Sequence, residues 1–348
     1  MKFQDQDALI WRDRELFLEQ IPVPQITADT EALVETDFVP ICGSDLKGKP
    51  MGVMGHEFLG TVIECGPKVT SLKPGDMVSA MTRFPSQRCI ELGVDCYDYC
   101  EMKVDRCPYS LYKSSTNGDI GVASQLLVMD ERFLVRMPES LGVSGSLAEP
   151  IAVAVKSIQK LQNGTPMIRD CSVFGTGKIG SIVLLALRVS LGNEIVLRGY
   201  DIGKKHVKER FVESLGARYI DVLEEPIPKD AAEFIIVTAD DPGLIPDIIA
   251  HAKPANARIV LMGYCEGKGN VEIPPDLWDK LVKDIDLLGS TNFNRMHMEE
   301  GARYLLKALD QYPAALETYI TAIVPYKEYQ RAFELAKSKE HLKILLEF

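Results

Sequence analysis

Cys171-Ser-Val-Phe-Gly-Thr-Gly-Lys-Ile-Gly-Ser-Ile-Val-Leu-Leu-Ala-Leu-Arg-Val-Ser-Leu191 holds two patterns joined by a glycine turn. Cys171 to Phe174 is an apolar run of strand length, and Ile179 to Leu191 is an apolar segment of helix length. Between them, Gly175-Thr-Gly-Lys-Ile-Gly180 has the spacing G-x-G-x-x-G. In a strand–turn–helix setting each glycine has a task. Gly175 makes the tight turn, Gly177 lets a pyrophosphate approach the backbone, and Gly180 lets helix and strand pack closely. The free N–H groups and the dipole of the helix N-terminus favour that anion. Gly175, Thr176, Gly177, Lys178, Ile179 and Gly180 therefore form a candidate dinucleotide loop. The alternative is a glycine-rich turn without a ligand.

Downstream, strands and helices alternate. Ile195-Val-Leu-Arg-Gly-Tyr-Asp201 reads as the next strand, a helix follows over Lys205 to Leu215, and further strands fall at Phe234-Ile-Ile-Val-Thr, Ile259-Val-Leu-Met and Asp286-Leu-Leu-Gly. That order predicts a doubly wound parallel sheet. Asp201 lies 21 residues after Gly180. An acid there accepts hydrogen bonds from an adenosine ribose and repels a 2′-phosphate, which favours NAD over NADP. Arg198, Lys204 and Lys205 stand close by and offer a phosphate partners instead, and Asp201 as a plain helix N-cap is the third reading.

Upstream, the chain is a series of short apolar runs broken by turns, such as Ala8-Leu-Ile-Trp, Phe58-Leu-Gly-Thr-Val-Ile and Leu72-Lys-Pro-Gly-Asp-Met-Val. These predict a small barrel-like β domain. At 348 residues the chain suits two domains. The boundaries fall at 1–152, with 296–348 returning to it, and 153–295 for the parallel sheet. The tail is helical over Glu299 to Leu309 and Tyr326 to Lys337.

The net charge of −11, from 39 basic and 50 acidic residues, opposes phosphate backbones and anionic membranes. A small-molecule partner fits better, with no nucleic acid and no membrane. The N-terminal residues show no basic region followed by an apolar one, so a cytoplasmic location is expected. The longest apolar segment is interrupted by Arg188 and is shorter than the roughly 20 residues of a membrane span. Cysteines in such a compartment are reduced, so clusters of them point to metal before disulfide.

Two cysteine-bearing stretches matter. Cys42-Gly-Ser-Asp-Leu-Lys-Gly-Lys-Pro-Met-Gly-Val-Met-Gly-His-Glu57 offers a thiol, an imidazole and carboxylates. A catalytic zinc takes about three protein ligands and keeps one position open. Cys42 and His56 would supply two, and Glu57 or a distant carboxylate the third; a Gly-rich turn with a buried thiol is the bland alternative. Cys89, Cys96, Cys100 and Cys107 fall within one short window, spaced C-x6-C-x3-C-x6-C. Four thiolates there can close a structural zinc site, and free thiols or disulfides are the alternatives. Glu149, before Pro150, is either a helix N-cap or a carboxylate at a domain junction that reaches a metal.

Taken together these segments resemble the zinc-dependent medium-chain dehydrogenase/reductase family. Cys42-Gly-Ser-Asp45 is similar to its first zinc-ligand motif, Gly55-His-Glu57 to its second, and Lys73-Pro-Gly-Asp-Met-Val78 to its turn–strand signature. Within the family, Phe133-Leu-Val-Arg-Met-Pro138, Leu147-Ala-Glu-Pro150 and Leu288-Gly-Ser-Thr-Asn292 resemble the archaeal-type glucose dehydrogenases. The resemblance implies a GroES-like β-rich catalytic domain beside a Rossmann domain, with Zn2+ and NAD(P)+ as cofactors. It makes Glu149 a catalytic-zinc ligand or near neighbour, brings Glu57 to the metal or the sugar hydroxyls, and nominates Asn292 beside nicotinamide and sugar. Ser44 would relay the substrate proton. It also implies a homodimer or homotetramer.

The expected reaction is hydride transfer from a sugar or polyol hydroxyl, aldose C1 first, to NAD(P)+. Polyol or amino-alcohol oxidation of the sorbitol or threonine type is the nearer alternative. A zinc-independent quinone-type reductase and a catalytically silent NAD(H)-binding protein are the more distant ones. Only 13 residues separate Cys42 from His56, fewer than the family's pattern, and the missing loop normally helps wall the substrate site.

Overall fold

A computed structural model of the chain describes residues 5–48, 51–82, 121–163, 167–203, 206–254, 257–262, 271–283, 285–338 and 340–348. The chain divides into two compact units. The first comprises Met1–Ala152, Asn292–Leu306 and Ile320–Phe348, and the second Val153–Thr291 and Lys307–Tyr319.

The first unit opens with β1 (Asp5–Arg12), β2 (Glu15–Pro22), β3 (Glu31–Pro40), β4 (Met51–Val53), β5 (Leu59–Cys65), β6 (Met77–Ala80), β7 (Leu126–Asp130) and β8 (Leu134–Arg136). The helix α1 (Ala148–Gln162) leads into the second unit. The second unit contains β9 (Asp170–Phe174), α2 (Lys178–Leu191), β10 (Val196–Asp201), α3 (His206–Ser214), β11 (Arg218–Asp221), β12 (Phe234–Val237), α4 (Ile245–His251), β13 (Arg258–Leu261), α5 (Pro275–Leu281) and β14 (Asp286–Gly289). The chain ends with α6 (Arg295–Gln311), α7 (Pro313–Tyr319), β15 (Ile320–Pro325), α8 (Tyr329–Lys337) and β16 (Lys343–Glu347).

In the first unit β1 pairs antiparallel with β2 and β4. A larger sheet runs β15-β16-β3-β5-β6-β8, with β7 also on β3. Its core joins Val34, Val39, Met54, Phe58, Val62 and Val78 to Phe333 and Ile344 from the C-terminal tail. The tail belongs here because β16 lies antiparallel to the end of β3, with Leu345 opposite Pro40.

The second unit is a six-stranded parallel sheet in the order β11-β10-β9-β12-β13-β14. Counted from β9 this is 3-2-1-4-5-6, the Rossmann order, and it reverses between β9 and β12. The glycine loop leaves β9 at that point. Gly180 through Val189 of α2 is buried throughout, which explains why this helix reads as an apolar run rather than an amphipathic one. Gly192, at φ 79, ends it and returns its N–H to the Arg188 carbonyl.

The tail does not return whole to the first unit, as the sequence had suggested. Lys307–Tyr319 groups with the parallel sheet, because α7 packs on α3, with Phe211 and Tyr319 ring centroids 5.7 Å apart. Among the described residues one helical stretch, Glu139–Gln162, is long and apolar enough to cross a membrane, and most of it is buried inside the protein.

Candidate metal centre and cofactor site

Between Cys42 and His56 the chain makes a short 3-10 turn at Asp45–Lys47 and then β4, which pairs with β1. Gly48 sits at φ 67, and a Cβ there would lie 2.8 Å from the Arg14 carbonyl oxygen. The segment is thus closed against the β1–β2 turn, which only glycine permits. Gly55, at φ 90, turns the chain so that His56 and Glu57 enter the core.

Ligand atoms of Cys42, His56 and Glu57 all lie within 4.8 Å of one another. Glu149, buried in the first turn of α1, joins the same electrostatic cluster. It is not the cap of that helix, which begins one residue earlier at Ala148. Burial, and then the charge of Glu57, push both the Cys42 thiol and the Glu149 carboxyl up from their ordinary values. Three groups that carry negative charge as ligands therefore crowd one imidazole, and a divalent cation relieves that crowding. One soft sulfur, one imidazole and carboxylate oxygen suit zinc.

Two residues around the cluster escaped the sequence reading. Asp45 is fully buried; its Oδ2 accepts the Cys42 N–H at 2.9 Å and its Oδ1 lies 3.7 Å from His56 Nδ1. At that distance it is a charge beside the ring rather than a hydrogen-bond partner of it. Its place three residues after Cys42 was the available signal. Lys343 on β16 is 1% exposed and grips both oxygens of Glu57, at 2.9 Å and 2.6 Å. A lysine inside Leu342-Lys-Ile-Leu-Leu346 was the sign of a buried partner, but nothing in the sequence said which. The Ser44 hydroxyl lies beside the Cys42 thiol.

Asn292 is in the same unit, at the end of the loop entering α6. It is 8% exposed and holds φ 56, a left-handed backbone that asparagine tolerates. Two residues on, Asn294 caps α6 reciprocally with His297, through bonds of 3.0 Å each way. Cys89, Cys96, Cys100 and Cys107 lie outside the described residues.

The glycine loop is in the second unit. Gly175 holds φ 90, and a Cβ on Gly180 would sit 1.7 Å from the Gly175 carbonyl oxygen. Around Gly177 there is open space, so its backbone is free to approach a phosphate. The turn at Gly175 and the close packing at Gly180 are as the spacing predicted, and the open cradle at Gly177 would fit a dinucleotide. Side chains hold the loop in shape. Thr238 donates to the Gly175 carbonyl at 2.7 Å, Ser181 to the Thr176 carbonyl at 2.9 Å, and Tyr319 to the Lys178 carbonyl at 2.7 Å. Ile179 opens α2. Asp201 ends β10, five residues before α3 begins, so it is not the cap of that helix. Its Oδ2 accepts from Thr176 N and Oγ1, and donors hold the carboxyl below its usual range against the opposing effect of burial.

Comparison with known proteins adds the following. A family model described as an alcohol dehydrogenase GroES-like domain matches residues 28–139, and one described as glucose dehydrogenase C-terminus matches residues 142–348. The chain is similar to the glucose 1-dehydrogenase of Thermoproteus tenax, at 27% identity over 95% of each chain. It is also similar to the sorbitol dehydrogenase of Bombyx mori, at 28% identity over 94% of each. The crystal structure of Haloferax mediterranei glucose dehydrogenase with NADP, Zn and gluconolactone matches with a TM-score of 0.83, at 22% identity, over 98% of this chain and 99% of that one. At that identity the likeness is one of fold.

Proposed function

The chain belongs to the zinc-dependent medium-chain dehydrogenase/reductase family, close to the archaeal glucose dehydrogenases, and from that membership we propose that it oxidises the C1 hydroxyl of an aldose to a lactone, with NAD(P)+ as hydride acceptor. Oxidation of sugar or polyol hydroxyls is the activity of its relatives; the aldose is the finer reading. One observation supports a metal-dependent dehydrogenase: ligand atoms of Cys42, His56 and Glu57 lie within 4.8 Å of one another, and Glu149 shares their electrostatics.

Cys42, His56 and Glu149 would hold the zinc, because Glu57 already shares its charge with Lys343. Bound there, zinc supplies the Lewis acidity that lowers the pKa of a substrate hydroxyl. The glycine loop Gly175–Gly180 would hold a nicotinamide dinucleotide, which would supply the hydride acceptor. Asp45 sets a negative charge beside the His56 ring. Ser44 takes the hydroxyl proton at Oγ and passes it outward. Glu57 and Asn292 orient the remaining hydroxyls of the sugar. Asp201 receives the adenosine ribose and favours NAD.

A polyol is the second substrate class. The compact Cys42–His56 segment, folded back as a turn and β4, leaves little chain to wall a ring. Turnover of the zinc-loaded protein on a panel of aldoses, polyols and amino alcohols, with NAD+ and NADP+, separates the readings. The expected result is aldose oxidation with lactone as product. Oxidation of polyols alone overturns the aldose reading, and binding of NADH without turnover on any alcohol points to a silent protein.

A further inference from the structure

We propose that Ser181 and Tyr319 are positioning residues whose hydroxyls set how strongly the glycine loop holds a pyrophosphate, each acting through the peptide group it bonds and not by touching the nucleotide. The inference rests on the reading of Gly175–Gly180 as a dinucleotide loop. Three hydroxyls from three parts of the second unit donate to carbonyls of this loop. Thr238, just after β12, bonds Gly175; Ser181 of α2 bonds Thr176; Tyr319 of α7 bonds Lys178. A peptide carbonyl shares its group with the N–H of the next residue. A bond to the oxygen polarises the group and strengthens that N–H as a donor, by roughly 10–30% per bond. The three bonds therefore act on the N–H groups of Thr176, Gly177 and Ile179.

These N–H groups have different uses. Thr176 N–H ends on Asp201 Oδ2 at 2.9 Å, where Lys208 Nζ of α3 also arrives at 2.7 Å. The Thr238 bond thus serves the frame of the site. Gly177 and Ile179 lie at the N-terminal end of α2. The first N–H groups of a helix have no carbonyl one turn earlier to bond, and they point at an anion. The Lys178 carbonyl opens α2 and has the N–H four residues on as its helical partner. Tyr319 is a second donor to it, beyond what the helix needs. Ser181 and Tyr319 are fully buried, so little water competes with these bonds. Tyr319 is fixed by its ring, whose centroid lies 5.7 Å from that of Phe211 on α3. It stands 141 residues from Lys178 in the chain. The grouping of Lys307–Tyr319 with the parallel sheet brings it to the loop.

The test is direct binding to wild type, Tyr319→Phe and Ser181→Ala. NADH is read by its fluorescence, and ADP-ribose and adenosine are read as its competitors. Tyr319→Phe keeps the ring and removes one oxygen. Each variant should lose about three- to tenfold for NADH and for ADP-ribose, the order of one modest hydrogen bond. Each should bind adenosine, which lacks the pyrophosphate, as wild type does. A hydroxyl that only keeps the loop in shape would move all three ligands together. If either variant fails to fold, the other carries the same comparison. Unchanged affinity for ADP-ribose overturns the proposal, and so does a loss for adenosine equal to that for ADP-ribose. In both cases NADH binding by wild type leaves the dinucleotide reading standing. A wild type that binds none of the three overturns both.

Discussion

At the scale of the residue, Asp45 shows how a short motif serves two ends. One oxygen pins the Cys42 backbone and the other faces the His56 ring. Replacing a carboxylate in this position loosens a metal by about 10- to 100-fold without removing a ligand. Asp45→Asn should therefore weaken zinc by that factor in a chelator competition, and unchanged affinity would remove the residue from the site. Gly180 makes a sterner prediction. A methyl group there meets a carbonyl oxygen at 1.7 Å, so Gly180→Ala should abolish NADH binding; retained binding would show that the loop relaxes. The glycine needs were readable from spacing because each follows from local backbone geometry. Asp45, Lys343 and Lys208 were not. Their partners depend on a turn, on a strand 286 residues away and on a helix crossing. The sequence shows the charges without their aim.

At the scale of the element, α2 was legible and β15 and β16 were not. The helix announces itself by an unbroken apolar run behind a glycine turn. β16 is a five-residue strand whose register is set by β3, near the other end of the chain, and no local pattern carries that information. The three-residue β4, hidden inside the Cys42–Glu57 stretch, is in the same position. Within α2, Arg188 interrupts the apolar run, and the structure gives the reason. Its guanidinium donates to the carbonyls of Leu215, Gly192, Ile195 and Gly216, tying the ends of two helices to the start of a strand. Removing it strands the buried carbonyls of Leu215 and Ile195, each costing about 1–3 kcal/mol when left unpaired. Arg188→Met should lower stability by on the order of 3 kcal/mol in denaturant unfolding, and a loss under about 1 kcal/mol would mean that water replaces the guanidinium.

At the scale of the molecule, the two-domain plan and the identity of each domain were legible, and the passage of Lys307–Tyr319 to the parallel sheet was not. That passage depends on a packing surface of α3 that appears only once the sheet is built. The core of the second unit also sets a pH response. His251 is fully buried under Phe174 and Tyr200. Its Nδ1 lies 2.6 Å from the Pro228 carbonyl, so that nitrogen carries the proton, and Nε2 accepts from Ser172 at 3.0 Å. Burial holds its pKa below the ordinary 6.5. The unfolded chain then binds more protons as acid is added, so this contribution is present above about pH 6.5 and is lost as the pH falls below it. The Tm difference between about pH 7.5 and 5.5 should be smaller in His251→Gln than in wild type; an equal difference would place the response elsewhere.

Cys42, His56 and Glu149 are the three residues proposed to hold a zinc ion that the reaction needs. Zinc per chain after dialysis, measured alongside turnover and NADH binding in wild type, Cys42→Ala and Glu149→Gln, tests that assignment most directly. Wild type should hold about two zinc ions per chain when the cysteine lobe is also filled. Each variant should hold one ion fewer and lose turnover, with NADH binding and the folding transition unchanged. Variants that keep the wild-type zinc content, or that keep turnover after losing the ion, would contradict it.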